Sequence, residues 1–187
     1  YRYVAKPFSI SSTGQVYFSK GNLQYNIANK TWRFADNQSD YIGAIKDIPT
    51  EHDGWIDMFC WNTGNNPTSS TAYYDQKFID WGINNIGNEA SNTYYTLSVK
   101  SWEYLLRERE VTHRGYYSDV VINDVNGVST GLMLLPDDWK CPSGITLGNK
   151  LTFTTAQWAE LEATGAVFLR SGSYWTSSNY HPYAHVD

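Results

Sequence analysis

Four histidines, two cysteines and a scatter of carboxylates are the residues of this chain with the most chemistry in them. His181 and His185 stand four apart, a spacing that holds zinc on one face of a helix. Pro182 lies between them in an aromatic, strand-like context and argues against a helix there. In a strand, positions i and i+4 share a face, but no third ligand follows by spacing, and HExxH is absent. His52 and His113 have no ligand-spaced partners. No metal site is expected. Asp36 and Asp40 in DNQSD offer oxygen ligands of the kind calcium takes, but without an EF-hand pattern they read as a solvated turn.

Nucleophilic chemistry finds no better footing. GxSxG does not occur, and neither Ser171 nor Ser177-Ser178 has a base placed by sequence. Phosphate-binding and dinucleotide glycine patterns are absent, so no cofactor is expected. Adjacent Asp137 and Asp138 do not converge on one substrate from an extended strand; they suit the capping of the following turn. Cys60 and Cys141 match no metal spacing and read as free, buried thiols. The alternative is a bridge closing a long loop, for about 4–5 kcal/mol in the chain-entropy model.

Binding chemistry is better served. The 187 residues carry 8 Trp and 15 Tyr, and polarity comes largely from Asn, Ser and Thr. Flat aromatic faces beside hydroxyls and amides suit neutral sugars and polar peptides, through stacking and directional hydrogen bonds. The closing stretch RSGSYWTSSNYHPYAHVD has this mixture. Trp175, Ser177, Asn179, Tyr180 and Tyr183 are the candidate ligand-binding residues, with Trp61, Asn65 and Asn66 of WNTGNN as a second contribution. If Tyr174 points inward, Thr176 and Ser178 do too, leaving Trp175, Ser177 and Asn179 outward; the opposite phase is equally allowed.

The elements that must position these residues follow from periodicity. Residues 8–35 alternate at Val16 and Phe18, at Leu23, Tyr25 and Ile27, and at Trp32 and Phe34, with breaks at Thr13-Gly14, Lys20-Gly21-Asn22 and Asn29-Lys30. This predicts a three-stranded meander. Residues 36–96 lack sustained periodicity and read as an ordered loop region pinned by Trp55, Phe59, Trp61, Phe78 and Trp81. TLSVKSWEYLLRERE predicts a helix capped by Ser98, with Trp102, Leu105 and Leu106 on one face. VVIND and GLMLL predict a hairpin turning near Asn126-Gly127 and ending before Pro136. FTTAQWAELEATG predicts a helix with a Thr154/Gln157 capping box, a Phe153–Trp158 staple and Gly165 beyond its end. AVFL and SYWTSSNY predict two more strands. No βαβ rhythm is evident, which points to the α+β class.

Composition sets the outer limits. With 41% hydrophobic residues the chain has core enough for one domain over 1–187. Its net charge is -5 and no Lys/Arg run occurs, so nucleic acid is not an expected partner. No apolar run approaches the ~20 residues of a membrane span.

Seven stretches together resemble a known family. They are VYFSKGNLQY (16–25), TWRFADNQSDYIG (31–43), GWIDMFCWNTGNNPT (54–68), LSVKSWEYLL (97–106), LLPDDW (134–139), TTAQWAELEATGAVFL (154–169) and YWTSSNY (174–180). The chain is similar to secreted Bacteroides-type surface proteins related to the Fibrobacter major paralogous domain, with a C-type-lectin-like fold. The resemblance implies two helices packed on twisted antiparallel sheets, with long ordered loops and a ligand face near the C-terminal strands. It also implies an extracellular or outer-membrane location, with a signal sequence already removed.

The function so implied is non-catalytic binding of a glycan or protein ligand. The alternatives are a structural or assembly module of a surface adhesin or fimbria, and a formylglycine-generating-like enzyme. The enzyme branch uses C-terminal cysteines, and none follows Cys141; the Glu-Pro-Asn and Gln-Pro-Asp triplets of calcium-dependent lectins are also absent. Only RSGS separates Leu169 from Tyr174, where the family carries a longer stretch, and a closing strand like SVRLV is missing. Two expectations remain open: a domain incomplete at its C-terminus, or a short variant of the family with a sheet edge left unpaired.

Overall fold

The computed structural model describes residues 3–42, 54–57, 59–68, 77–111, 115–125, 127–175 and 183–186, with 172–175 and 183–186 described by backbone alone. It is of the α+β class. The chain forms two compact units: Tyr1–Lys20 with Lys100–Tyr174 and His185–Asp187, and Gly21–Val99 with Trp175–Ala184.

The first unit begins with a hairpin of β1 (Phe8–Ser9) and β2 (Gln15–Val16), paired antiparallel. Its turn is closed by the Ser11 hydroxyl, which accepts from the Gly14 amide at 2.8 Å. Helix α1 (Val99–Glu103) leads into the π-helical turn Tyr104–Glu108. That turn ends with the Arg109 amide donating to the Tyr104 carbonyl, five residues back. Trp102 and Leu105 are buried on one face, with Leu106 half-buried, as the spacing predicts. Phe18 meets Phe8 edge-on at 5.0 Å and Trp102 at 6.2 Å, which seats the hairpin's end against the helix.

The unit's main sheet has the order β8-β6-β7-β9: β6 (Tyr116–Asp124), β7 (Gly127–Leu134), β8 (Leu151–Thr154) and β9 (Val167–Arg170). The β6–β7 hairpin turns at Gly127, as its sequence predicts, and β7 stops before Pro136. Helix α2 (Thr155–Ala163) follows β8 directly. Both halves of its capping box form, with the Gln157 amide donating to the Thr154 hydroxyl at 3.2 Å. Its far end closes as a Schellman motif: Ala166 N–H reaches the Leu161 carbonyl and Gly165 N–H the Glu162 carbonyl. Gly165 takes a φ of +99°, which a side chain would strain. Phe153, Trp158 and Leu161 join Val120, Ile122, Met133 and Phe168 in one buried cluster.

One expectation is overturned here. The sheet is not wholly antiparallel, because β8 runs parallel to β6, with Val120 opposite Leu151 and Ile122 opposite Phe153. The segment between β7 and β8 is long enough to return the chain in the same direction, and α2 then carries it over the β6–β7 hairpin to β9. Gly131 lets β9 approach closely, since a Cβ there would collide with the Leu169 carbonyl.

The second unit holds a three-stranded antiparallel sheet of order β4-β3-β5, from β3 (Leu23–Asn26), β4 (Thr31–Phe34) and β5 (Trp55–Ile56). The predicted meander therefore divides. β2 pairs with β1 and β3 with β4 and β5, because the break at Lys20-Gly21-Asn22 leads into a different unit. Tyr25, Trp32, Ile56, Trp81 and Ile86 form this unit's core. The described part of 36–96 is held by aromatics as expected: Phe59 packs on Trp32 at 5.3 Å and Trp81 at 5.8 Å, and Trp61 on Phe78 at 5.4 Å. A 3-10 turn at Trp81–Ile83 is capped by Asp80, whose carboxylate accepts from the Gly82 amide at 2.9 Å. The strands β10 (Gly172–Trp175) and β11 (Tyr183–Val186) pair with each other. No helix among the described residues is long and apolar enough to cross a membrane.

Candidate functional site

Of the candidate binding residues, Ser177, Asn179 and Tyr180 lie outside the described residues. Trp175 ends β10 and Tyr183 begins β11, both described by backbone alone. Trp175, Tyr183, Trp61, Asn65 and Asn66 all belong to the second unit. His52, His113 and His181 also fall outside the described residues, and His185 lies on β11.

Trp61 departs from its expected role. It has no exposed surface, and its ring packs on Phe78, so it offers no face for stacking. Its flat apolar body anchors the loop while Asn65 and Asn66 stand exposed above it in sequence. The loop is braced from beneath. Gly64 N–H donates to the Ile79 carbonyl at 3.1 Å, and the Asn84 side-chain amide donates to the Gly64 carbonyl at 2.7 Å. Asn66 N–H closes a turn onto the Thr63 carbonyl at 2.9 Å, and the Thr68 hydroxyl donates to the Asn66 side chain at 3.2 Å. Asn62 sits at a φ of 58°, a left-handed conformation that asparagine tolerates. The exposed amides are thus presented on a fixed backbone.

A second polar surface lies on the outer face of the β4-β3-β5 sheet. Tyr25, Trp32 and Ile56 face the core, so Gln24, Asn26, Arg33 and Trp55 face away. Arg33 stands opposite Gln24, and Trp55 opposite Asn26. The Arg33 guanidinium lies 3.8 Å over the half-buried Trp55 ring, and its Nε donates to Gln24 Oε1 at 2.8 Å. Gln24 and Asn26 are 3% and 2% exposed, whereas Thr31 and Arg33 on the same face are exposed.

The first unit holds a heavily bonded carboxylate, that of Asp137. Asp137 does not cap the turn that follows it. It accepts from the Ser9 amide at 3.0 Å, the Ser9 hydroxyl at 2.6 Å, Gln15 Nε2 at 3.0 Å and Arg109 Nη1 at 3.2 Å. Burial alone would raise its pKa, but the hydrogen bonds from Ser9 and Gln15 and the charge of Arg109 outweigh burial and hold it below the usual aspartate value. Arg109 Nη2 donates to the carbonyls of Gly115, at 2.7 Å, and Leu135. Burial draws the Arg109 pKa down against the pull of Asp137, and the guanidinium stays charged. Among the described residues Asp138 makes only an exposed pair with Lys6. Asp137 thus ties β1, β2 and the end of the π-helical turn together.

Asp40 accepts from the Asn37 amide and side chain, which closes a local turn. Among the described residues no group of three or more His, Cys, Asp or Glu side chains could hold a metal. Both cysteines are free thiols; Cys60 is half-buried, but Cys141 is exposed, against the expectation of burial. Cys141 lies two residues beyond Trp139, the residue that takes the buried position, and its thiol donates to the Ile145 carbonyl. Burial raises the pKa of the Cys60 thiol.

Two groupings escaped sequence reasoning: Asp137 with Arg109, and Arg33 with Trp55. The first joins residues far apart in sequence and has no local signal. The second had one, since the alternation that sends Trp32 and Phe34 inward sends Arg33 outward. No family model matches the chain, and neither does any curated protein or any solved structure.

Proposed function

We propose that the chain is a non-catalytic binding module of the cell surface or extracellular space that recognises a glycan or protein ligand. The observation that carries this is the braced loop of the second unit, where Asn65 and Asn66 are exposed on a backbone fixed by Asn84, Ile79 and Thr63. Fixed amides lose little freedom on binding, so their hydrogen bonds count toward affinity and specificity. The C-type-lectin-like fold is part of the proposal. Two helices, a four-stranded sheet and long braced loops support it. The chain's passage between the two units and back supports a single domain over 1–187. Trp175, Ser177, Asn179, Tyr180 and Tyr183 complete the proposed face.

The test is a glycan and protein array probed with the chain, followed by titration of the hit. Trp175→Ala is expected to cost about 2 kcal/mol or more of binding if it is a central contact. An unchanged affinity in a folded variant removes Trp175 from the face, and silence across the array overturns the reading.

A second reading, an assembly module of a surface adhesin or fimbria, has its own support. At the tip of the β6–β7 hairpin Val125 is 98% exposed and Val128 61% exposed. Concentration-dependent association abolished by Val125→Asp with Val128→Asp would favour it.

A further inference from the structure

We propose that the Arg33–Trp55 stack on the outer face of the β4-β3-β5 sheet is a subsite for the carboxylate of an acidic sugar. This rests on reading the chain as a glycan-binding module, and names the ligand class.

Three observations meet at this stack. First, its geometry is fixed before any ligand arrives. Arg33 reaches from β4 across β3 to lie on the indole of β5, and Gln24 Oε1 holds its Nε. A guanidinium so held has already lost its rotamer freedom.

Second, its binding edge is open. An arginine has five N–H donors, and Nε uses one. Among the described residues the two terminal nitrogens of Arg33 have neither a hydrogen-bond partner nor a carboxylate. Arg33 is exposed, so that edge faces solvent. Two parallel N–H groups match the two oxygens of a planar carboxylate.

Third, the surroundings suit a sugar. Trp55 is half-buried and leaves part of its indole for the C–H groups of a pyranose ring. Exposed Thr31 lies opposite Asn26 on the same face and offers a hydroxyl. A free inorganic anion would use neither.

The experiment titrates the intact chain by calorimetry with tetragalacturonate, a hyaluronan tetrasaccharide, the methyl ester of each, and an aspartate-rich peptide. At least one free acid is expected to bind about tenfold more tightly than its ester, the size of one charge-assisted bidentate contact. Arg33→Met should reduce that acid to the level of its ester, while Arg33→Lys retains part of the difference. Unfolding midpoints show whether each variant is intact, and Trp55→Leu provides a second variant that removes the stack without removing the charge.

Equal binding of acid and ester overturns the subsite, as does acid binding unchanged in Arg33→Met. Binding of neither acid, while the array yields another ligand, overturns the subsite and leaves the binding function standing. Arg33-dependent capture of the peptide without either sugar overturns the sugar assignment. A wholly silent array overturns both.

Discussion

Arg109 in the first unit and Arg33 in the second are bonded in opposite ways. Arg109 is 2% exposed in its side chain, and both of its terminal nitrogens are engaged, by Asp137 and by the carbonyls of Gly115 and Leu135. Arg33 is exposed and, among the described residues, engages only its Nε, while its flat face rests on Trp55. The Arg109 guanidinium also lies 5.6 Å over an aromatic ring, that of Phe8. Stacking therefore does not separate the two; what differs is whether the fork end is closed by protein. A closed fork holds the fold, and an open one is available to a ligand.

The contrast extends to the tryptophans, and the largest expected effect tests it there. Trp61 is fully buried, so Trp61→Ala should cost about 3–5 kcal/mol of stability, read by urea unfolding. A loss under about 1 kcal/mol would return Trp61 to the list of surface residues. Next is Arg109→Met. It strands a partly buried carboxylate and removes donors from two carbonyls, and should cost about 3 kcal/mol. A near-neutral result would mean the closed fork is dispensable.

The third test is acid. Asp137 has a native pKa below the ordinary aspartate value of 3.8. Its contribution is therefore complete above that value and is lost as pH falls below it toward the native one. Asp137→Asn should flatten this part of the stability–pH curve, and an unchanged slope would show that Asp137 is not its source. The smallest effect belongs to Arg33→Met, which loses a cation–π contact and the hydrogen bond to Gln24 and should cost about 1–2 kcal/mol. A larger loss would make Arg33 a structural residue like Arg109.

Local signals in the sequence located most of the elements. The capping box at Thr154 and Gln157, the Gly165 terminus and the Gly127 turn each announce themselves within a few residues, and each formed as expected. What stayed hidden was non-local. Nothing near Leu151 says that β8 will run parallel to β6, and nothing in LLPDDW says that Asp137 will reach Ser9. The bulge that breaks the β6–β7 register between Tyr117 and Val120 coincides with Asp119 at a φ of 56°, an unusual conformation that no pattern in YYSDVV foretells. At the candidate site, the sequence marked Asn65 and Asn66 as polar and exposed, but it gave Trp61 the same standing, because tryptophan in a polar loop serves an anchor and a ligand equally well.

The bond between Ser9 and Asp137 joins positions 128 apart in the chain. Closing so long a span costs conformational entropy before any contact compensates for it. The β6–β7 hairpin, with its two arms adjacent in sequence, has no such delay. Folding is thus expected to be staged, with the hairpin early and the N-terminal strands arriving last. In pulse-labelled hydrogen exchange the Ser9 amide should gain protection after that of Ile122. The segment that reaches the carboxylate last during folding would also be the first released under force, so the same clip would set the order in which the chain comes apart when pulled from its N-terminus.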